Sequence, residues 1–285
     1  IKYFQLLKKL IIMINVACIQ PEVHQSRRTC YLEVENLLKA LMRTHQKLDI
    51  ICLPERWVPF NDKISDNFQD ERGADYSFIK NIAKEFSVNI ISGAIWEKRK
   101  DYVKPVVTSY YFNNQGEEIG RQDKIHLYSY ETKQFEAGEN LIIFNLKNFN
   151  FAILICFDMA FFETPRLATE NSADILFSPT QIREDGIENW EIYLKARALE
   201  NRIPIVACNT YGQFFKRKFP GKSKIISFIH GYISPSKLKI IEAPFNLKGF
   251  IYDSIDLSFP KKIRNIRFQD LKEKSDIKVF FSKKE

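Results

Sequence analysis

FAILICF, at 151–157, is a run of apolar residues with no alternation between oily and polar positions. A strand of that kind has to be covered on both faces, which excludes a sheet open to water on one side. Further β-rich runs punctuate the first two-thirds of the chain: INVACIQ (14–20), DIICLPE (49–55), VNIISGAIWE (88–97), VVTSYYFNN (106–114), LIIFNL (141–146), DILFSP (174–179) and IPIVACN (203–209). Between them the apolar spacing changes to that of helices near 27–47, 74–86, 163–171 and 187–201; Leu32, Leu37, Leu38 and Leu41 in the first fall close to i, i+3 and i+4. A turn near Asn114 and Gly116 leads into a strand through Ile119, and residues 223–257 read as β-hairpin material. Helices supplied in two separate groups, with strands covered on both faces, predict two mixed β-sheets packed face to face and flanked by helices, an α-β-β-α sandwich of the α/β class.

The 285 residues carry no Ser/Gly/Pro-rich linker, so one domain over 13–260 is expected, with 1–12 as an extension and 261–285 as a basic tail. A content of 45% hydrophobic residues, including 24 Phe, excludes a disordered chain. The formal charge of +8 invites a nucleic-acid reading, but it is concentrated at the ends. Lys2, Lys8 and Lys9 lie in residues 1–12, and residues 261–285 hold nine Lys/Arg against four Asp/Glu, which leaves 13–260 neutral. A nucleic-acid partner is therefore not expected. A tighter basic cluster, Lys216, Arg217, Lys218, Lys222 and Lys224, falls in one predicted loop and reads as solvated, with an anionic partner as the alternative.

Cys18, Cys30, Cys52, Cys156 and Cys208 are odd in number and form no CxxC pair, which fits reduced thiols in a cytoplasmic protein. His24, His45, His126 and His230 are scattered; no metal and no cofactor is expected. IKYFQLLKKLII is too short and too interrupted by Lys to span a bilayer.

Three residues at or just past the ends of apolar runs carry the chemistry. DIICLPE delivers the Glu55 carboxylate, IGRQDKIHL the Lys124 ammonium and FAILICFD the Cys156 thiol. A base, a cation and a nucleophile are the minimum for acyl transfer through a covalent intermediate. Lys124 near the thiol is expected to favour the thiolate, and a strand that ends in a tight turn at Phe157 and Asp158 would leave Cys156 at the rim of a sheet. Trp57, Tyr130 and Trp190 read equally as pocket walls or core, and Arg197 with Glu200 reads as a structural ion pair.

These segments resemble the nitrilase or carbon-nitrogen hydrolase superfamily, in its amidase-like branch, from about Asn15 to Asp256. LPERW is similar to its glutamate motif, RQDKIHLY to its lysine motif, ICFDMAFFE to its cysteine motif, and RALENRIPIVACNTYG to the segment that follows. The resemblance implies Glu55 as general base, Lys124 as oxyanion stabiliser, Cys156 as nucleophile, and a homodimer formed across the helices beside the cysteine motif. The family's second glutamate maps onto Glu131, with Glu136 as competitor; Trp57, Tyr130 and Phe157 complete the expected substrate contacts. Many amidase-like members carry an arginine just after the cysteine-motif aspartate, where this chain has Met159, Ala160 and Phe161. Phe157-Asp158, in place of the Trp-Glu of nitrilases, points to a small linear amide as substrate. N-carbamoyl compounds or nitriles are alternatives on the same residues, and binding of an anionic partner through the basic ends is a non-catalytic one.

Overall fold

The computed structural model describes residues 11–45, 47–61, 63–214, 216–272 and 277–280. The first half of the chain supplies β1 (Met13–Gln20), α1 (Arg27–Thr44), β2 (Ile50–Cys52), β3 (Gln69–Asp70), α2 (Ala74–Glu85), β4 (Asn89–Ile91), β5 (Ile95–Lys98), β6 (Val106–Phe112), β7 (Glu118–Asp123) and the single turn α3 (Glu131–Gln134). The second supplies β8 (Ile143–Leu146), β9 (Phe149–Ile153), α4 (Glu163–Glu170), β10 (Ile175–Thr180), α5 (Ile187–Asn201), β11 (Ile205–Asn209), β12 (Tyr211–Phe214), β13 (Arg217–Pro220), β14 (Lys224–Phe228), β15 (Leu238–Glu242), β16 (Gly249–Asp256) and α6 (Ser258–Gln269).

One sheet has the order β16-β1-β2-β4-β6-β5-β3 with β7 beside β6, the other β15-β14-β11-β10-β9-β8, and β12-β13 is a separate hairpin. β1, β2 and β4 run parallel, as do β9, β10 and β11; antiparallel strands flank each set. The two-sided burial expected from the apolar runs is present residue by residue. Val16 and Cys18 face the space between the sheets while Ala17 and Ile19 face α1 and α2; Phe151 and Ile153 face inward while Ala152 and Leu154 face α4 and α5. Helix α1 shows how local chemistry sets an element: the Ser26 hydroxyl caps the Thr29 N–H at 3.3 Å, and Cys30, Val34, Leu38 and Leu41 form one buried stripe. Phe151, at the centre of the inter-sheet layer, has Tyr111, Phe144 and Phe177 at 5.0, 5.3 and 5.4 Å. The α-β-β-α sandwich is the observed fold.

Four local expectations are corrected. VNIISGAIWE is two strands, because Gly93 at φ +74° turns the chain where any Cβ would land on the Pro54 carbonyl oxygen. The segment 223–257 is not all hairpin: β14 pairs β15, but β16 crosses to the other sheet and lies antiparallel to β1. The chain does not leave the fold at 260 either, since α6 runs through that point with Phe259 and Ile263 packed on Phe228. Arg264 donates to the Ala173 carbonyl at 2.6 Å and Lys261 pairs with Asp174 at 3.1 Å, so the first charges of the expected tail are committed to the fold. The basic cluster also divides. Lys222 and Lys224 pair with Glu191 at 2.9 and 3.0 Å, whereas Lys216, Arg217 and Lys218 lie at and beside the β12-β13 turn. Residues 1–10 of the expected N-terminal extension lie outside the described residues.

Candidate active site

The parallel strands of both sheets bring their carboxyl ends to one rim, where open α/β sheets hold ligands. Beyond β2 the chain runs through Leu53 and Pro54 to Glu55, whose N–H donates to the Thr180 carbonyl at the end of β10 (3.1 Å) and whose carbonyl accepts from Ala94 N–H (3.2 Å). The main chain of Glu55 thus spans the two sheets. Beyond β7, Lys124 N–H donates to the Val107 carbonyl at 2.8 Å and fixes the lysine against β6. Beyond β9, Cys156 opens a short 3₁₀ turn, Cys156–Ala160, in the left-handed region at φ +49°. For a residue with a Cβ that conformation costs about 1–2 kcal/mol, and such positions cluster at functional sites.

Lys124 Nζ lies 2.8 Å from Glu55 Oε1 and 2.8 Å from Glu131 Oε2, all three side chains being buried. Glu131 Oε2 also accepts the Tyr128 N–H at 2.7 Å. Burial works against the Lys124 charge, but the Glu55 and Glu131 carboxylates outweigh it and hold the ammonium well above the ordinary lysine range. Burial raises the Glu131 carboxyl, with Lys124 pulling the other way. Cys156 is half-buried and shares a cavity wall with Glu55, Lys124 and Gln181. Burial first, and the Glu55 charge second, push that thiol well above the usual range despite Lys124. That direction runs against the expected thiolate: burial and the neighbouring Glu55 charge favour the protonated thiol more than Lys124 favours its anion.

Asp158, which the sequence marked only as part of a turn, ties the lysine and cysteine segments together. Its Oδ1 accepts His126 N–H at 2.7 Å and its Oδ2 accepts Ile155 N–H at 2.9 Å, while its carbonyl accepts the Thr164 hydroxyl at 3.0 Å. It is fully buried, two residues past Cys156 and linked to the residue two past Lys124. An acid inside an apolar turn was the available signal. Arg197 pairs with Glu200 at 3.0 Å, as its spacing suggested, and also donates to the Ala160 and Phe161 carbonyls at 2.9 and 3.1 Å, bracing the same turn.

A cavity of about 560 Å³ opens on this group, with Glu55, Lys124, Glu131 and Cys156 in its wall together with Tyr130, Phe157 and Trp190. Trp57 is not there. Its indole N–H donates to the Ser92 carbonyl at 2.8 Å and its ring lies by Tyr31 and Phe78 in the layer under α1 and α2, because the residue two after Glu55 turns back into the core. Glu136 is also elsewhere, accepting the Lys104 N–H at 3.3 Å, so Glu131 is the glutamate that joins Lys124. Sequence reasoning missed the Gln181, Arg183 and Asn189 wall and the aromatic and basic residues of the β12-β13 hairpin, Phe214, Arg217 and Phe219.

The signature of the carbon-nitrogen hydrolase family matches residues 15–258. A probable nitrilase of Schizosaccharomyces pombe is 28% identical over 257 residues, covering 88% of this chain and 91% of that protein. The 2-oxoglutaramate amidase of Bacillus subtilis is 29% identical over 219 residues, covering 74% and 82%. In fold, Nit3 of Saccharomyces cerevisiae, a member of branch 10 of the nitrilase superfamily, superposes with a TM-score of 0.80 at 20% identity over 95% of this chain and 99% of that one. The chain therefore belongs to the carbon-nitrogen hydrolase family and is an enzyme acting on carbon–nitrogen bonds other than peptide bonds.

Proposed function

We propose that this enzyme hydrolyses a small linear amide through a thioester on Cys156, with Glu55 as general base and acid and Lys124 as the cation that stabilises the oxyanion. The observation that carries this reading is the buried Lys124 ammonium held at 2.8 Å by both Glu55 and Glu131 beside a half-buried thiol on a cavity wall. As the neutral thiol attacks, its proton passes to Glu55, the S–C bond forms, and the carbonyl electrons move onto oxygen. Lys124 and the Phe157 N–H receive that charge; one such donor is worth about 3 kcal/mol. Collapse re-forms the carbonyl and breaks the C–N bond, with Glu55 returning its proton to the departing nitrogen. Glu55 then takes a proton from water as the water oxygen attacks the thioester carbonyl; collapse breaks the C–S bond, releases the acid, and the sulfur takes its proton back from Glu55. Glu131, tied to Tyr128 N–H, positions Lys124.

Amides are favoured over nitriles by the Phe157-Asp158 pair and by the B. subtilis and S. cerevisiae relatives, an oxoglutaramate amidase and an omega-amidase. A panel of amides, N-carbamoyl compounds and nitriles scored by ammonia release tests the choice, with mass spectrometry of a trapped adduct at Cys156. Ammonia from amides and an acyl adduct on that residue are expected; turnover retained by Cys156→Ala would overturn the mechanism.

We further infer a cytoplasmic homodimer. All five cysteines are free, and among the described residues no helix is long and apolar enough to cross a membrane. Phe162, Leu167, Ile192 and Tyr193, on or next to α4 and α5 beside the cysteine turn, are exposed apolar residues of the kind a second copy would cover. Light scattering after gel filtration is expected to give twice the chain mass, and a monomer would remove the dimer.

A further inference from the structure

Arg56, the residue after Glu55, is a cation in the interior with no carboxylate paired to it. It is 2% exposed, makes no ion pair among the described residues, and its Nε has no hydrogen-bond partner there. Burial pulls its guanidinium down to about 10, so it still carries its charge at neutral pH. A buried charge of this kind is costly, and an apolar side chain of similar length would fill the space without that cost. The contacts of the guanidinium show what it holds. Nη2 donates to the Pro59 carbonyl at 2.9 Å and to Asn67 Oδ1 at 3.1 Å, and the group lies over the rings of Trp96 and Phe60, 4.6 and 4.9 Å from their centres. Asn67, equally buried, gathers the rest of the segment: Oδ1 also accepts the Asn61 N–H at 2.6 Å, and Nδ2 donates to the Asn61, Lys63 and Ile64 carbonyls at 3.0, 3.1 and 3.2 Å. The Arg56 main chain is fixed from the other side, its carbonyl accepting the Thr210 hydroxyl at 2.8 Å. Between β2 and β3 the described chain has only the 3₁₀ turn Ile64–Asn67 to give it shape, yet it borders the cavity at Phe60 and Ile64, both half-buried.

We propose that Arg56 and Asn67 are positioning residues that shape this segment into the acyl-chain wall of the cavity, so that Phe60 and Ile64 set how strongly an apolar chain on the amide carbonyl is bound. Charge-assisted bonds to main-chain and side-chain oxygens fix a loop in direction as well as distance, whereas apolar packing alone leaves it free to shift. A wall that shifts leaves a gap beside the substrate chain and forfeits the contact. Two flat faces for two rings and an edge that donates to two acceptors are a combination that neither an ammonium nor a thioether offers. This inference rests on the amide-hydrolase reading above and adds to it the residues that govern selectivity.

The test measures kcat/KM for the unbranched amides from acetamide to hexanamide. In the wild-type enzyme it is expected to rise by about threefold per added CH2, close to the roughly fourfold that full burial of one methylene is worth. Arg56→Met, which keeps the length and removes the charge, should cut the rise below about 1.5-fold per CH2, chiefly through a higher KM for the longer amides. Arg56→Lys should recover part of the rise, and Asn67→Ala and Phe60→Ala should each flatten it. The slope is a ratio between substrates on one enzyme sample, so a smaller folded fraction leaves it unchanged. Ile263→Ala, a core truncation on α6, serves as the control: it should lower the melting temperature and keep the wild-type slope. Where Arg56→Met yields no folded protein, Arg56→Lys and Phe60→Ala decide. A flat wild-type series, a slope that survives the Arg56 and Phe60 variants, or equal flattening by Ile263→Ala would overturn these roles while leaving the amide hydrolase standing. Ammonia from none of the series and none of the wider amide panel would sink both.

Discussion

Cys156 and Cys208 are the same residue type, one just past a strand of the second sheet and one within it, and their surroundings differ. Cys208 lies within β11, fully buried between the sheets, where its thiol donates to the Ile19 carbonyl at 3.0 Å in the same buried cluster as Cys18 and Cys52. Cys156 lies three residues past the end of β9, in a left-handed turn, with a carboxylate, an ammonium and a cavity beside it. A regular ladder alternates side chains into closed layers; only beyond its last hydrogen bond can a side chain be turned to face a ligand. Position relative to the end of the strand separates a packing thiol from the one proposed to react.

The comparison breaks most directly at Cys156→Ala, expected to lower kcat by about 10⁴-fold or more with the melting temperature held or raised, since the nucleophile acts as part of a unit and its backbone is strained. An activity loss matched by Cys208→Ala would erase the distinction. Lys124→Gln comes next: about 10²–10³-fold in kcat, together with about 3 kcal/mol of stability, because two buried carboxylates lose their shared cation. Stopped assays and denaturant melts separate those two effects, and an unaltered kcat would remove Lys124 from the chemistry. Cys208→Ala is expected to do the reverse of Cys156→Ala, costing about 1–2 kcal/mol of stability with kcat/KM within about twofold of wild type.

The smallest expected effect is in the pH profile. The Cys156 thiol is held above its ordinary range, so the protonated form persists through neutral and mildly alkaline pH, and the Lys124 ammonium, also raised, persists with it. The plot of kcat/KM should therefore show no rise centred on about 8.5, the ordinary thiol value. A rise there would mean that a preformed thiolate attacks. The same sign governs stability: a lysine raised in the folded state contributes fully below its unfolded value, and that contribution is lost as pH climbs through the folded one.

Glu55, Cys156 and the two-sided strands could be read locally, from apolar runs and the residues at their ends, whereas Lys124 says little alone and was assigned through the resemblance of RQDKIHLY to the lysine motif. Glu131 was legible only through resemblance, for its four-residue helix has no periodicity to read. Trp57 and Trp190 could not be told apart in advance, since each follows a strand or starts a helix near the rim, and the direction of the intervening turn decides which ring is buried. The break at Gly93 was hidden because its cause, the Pro54 carbonyl, is distant in sequence. Helix α6 was mistaken for a tail because residues 261–285 as a whole are polar and basic, although Phe259 and Ile263 are four apart and fall on one face. The 216–218 basic run read as a solvated loop because β12 and β13 are only four residues each and their pairing across the turn leaves no periodicity to read.

Glu55 is suspended between the sheets by its own amide and carbonyl, so the distance from base to nucleophile is set by how closely two slabs of the molecule stack. A Phe151→Ala change in the filling between the slabs, far from any reacting atom, would loosen that spacing, and its signature would be a slower enzyme whose ladders are still intact. On the proposed mechanism, catalytic rate in this architecture would be a gauge of interior thickness.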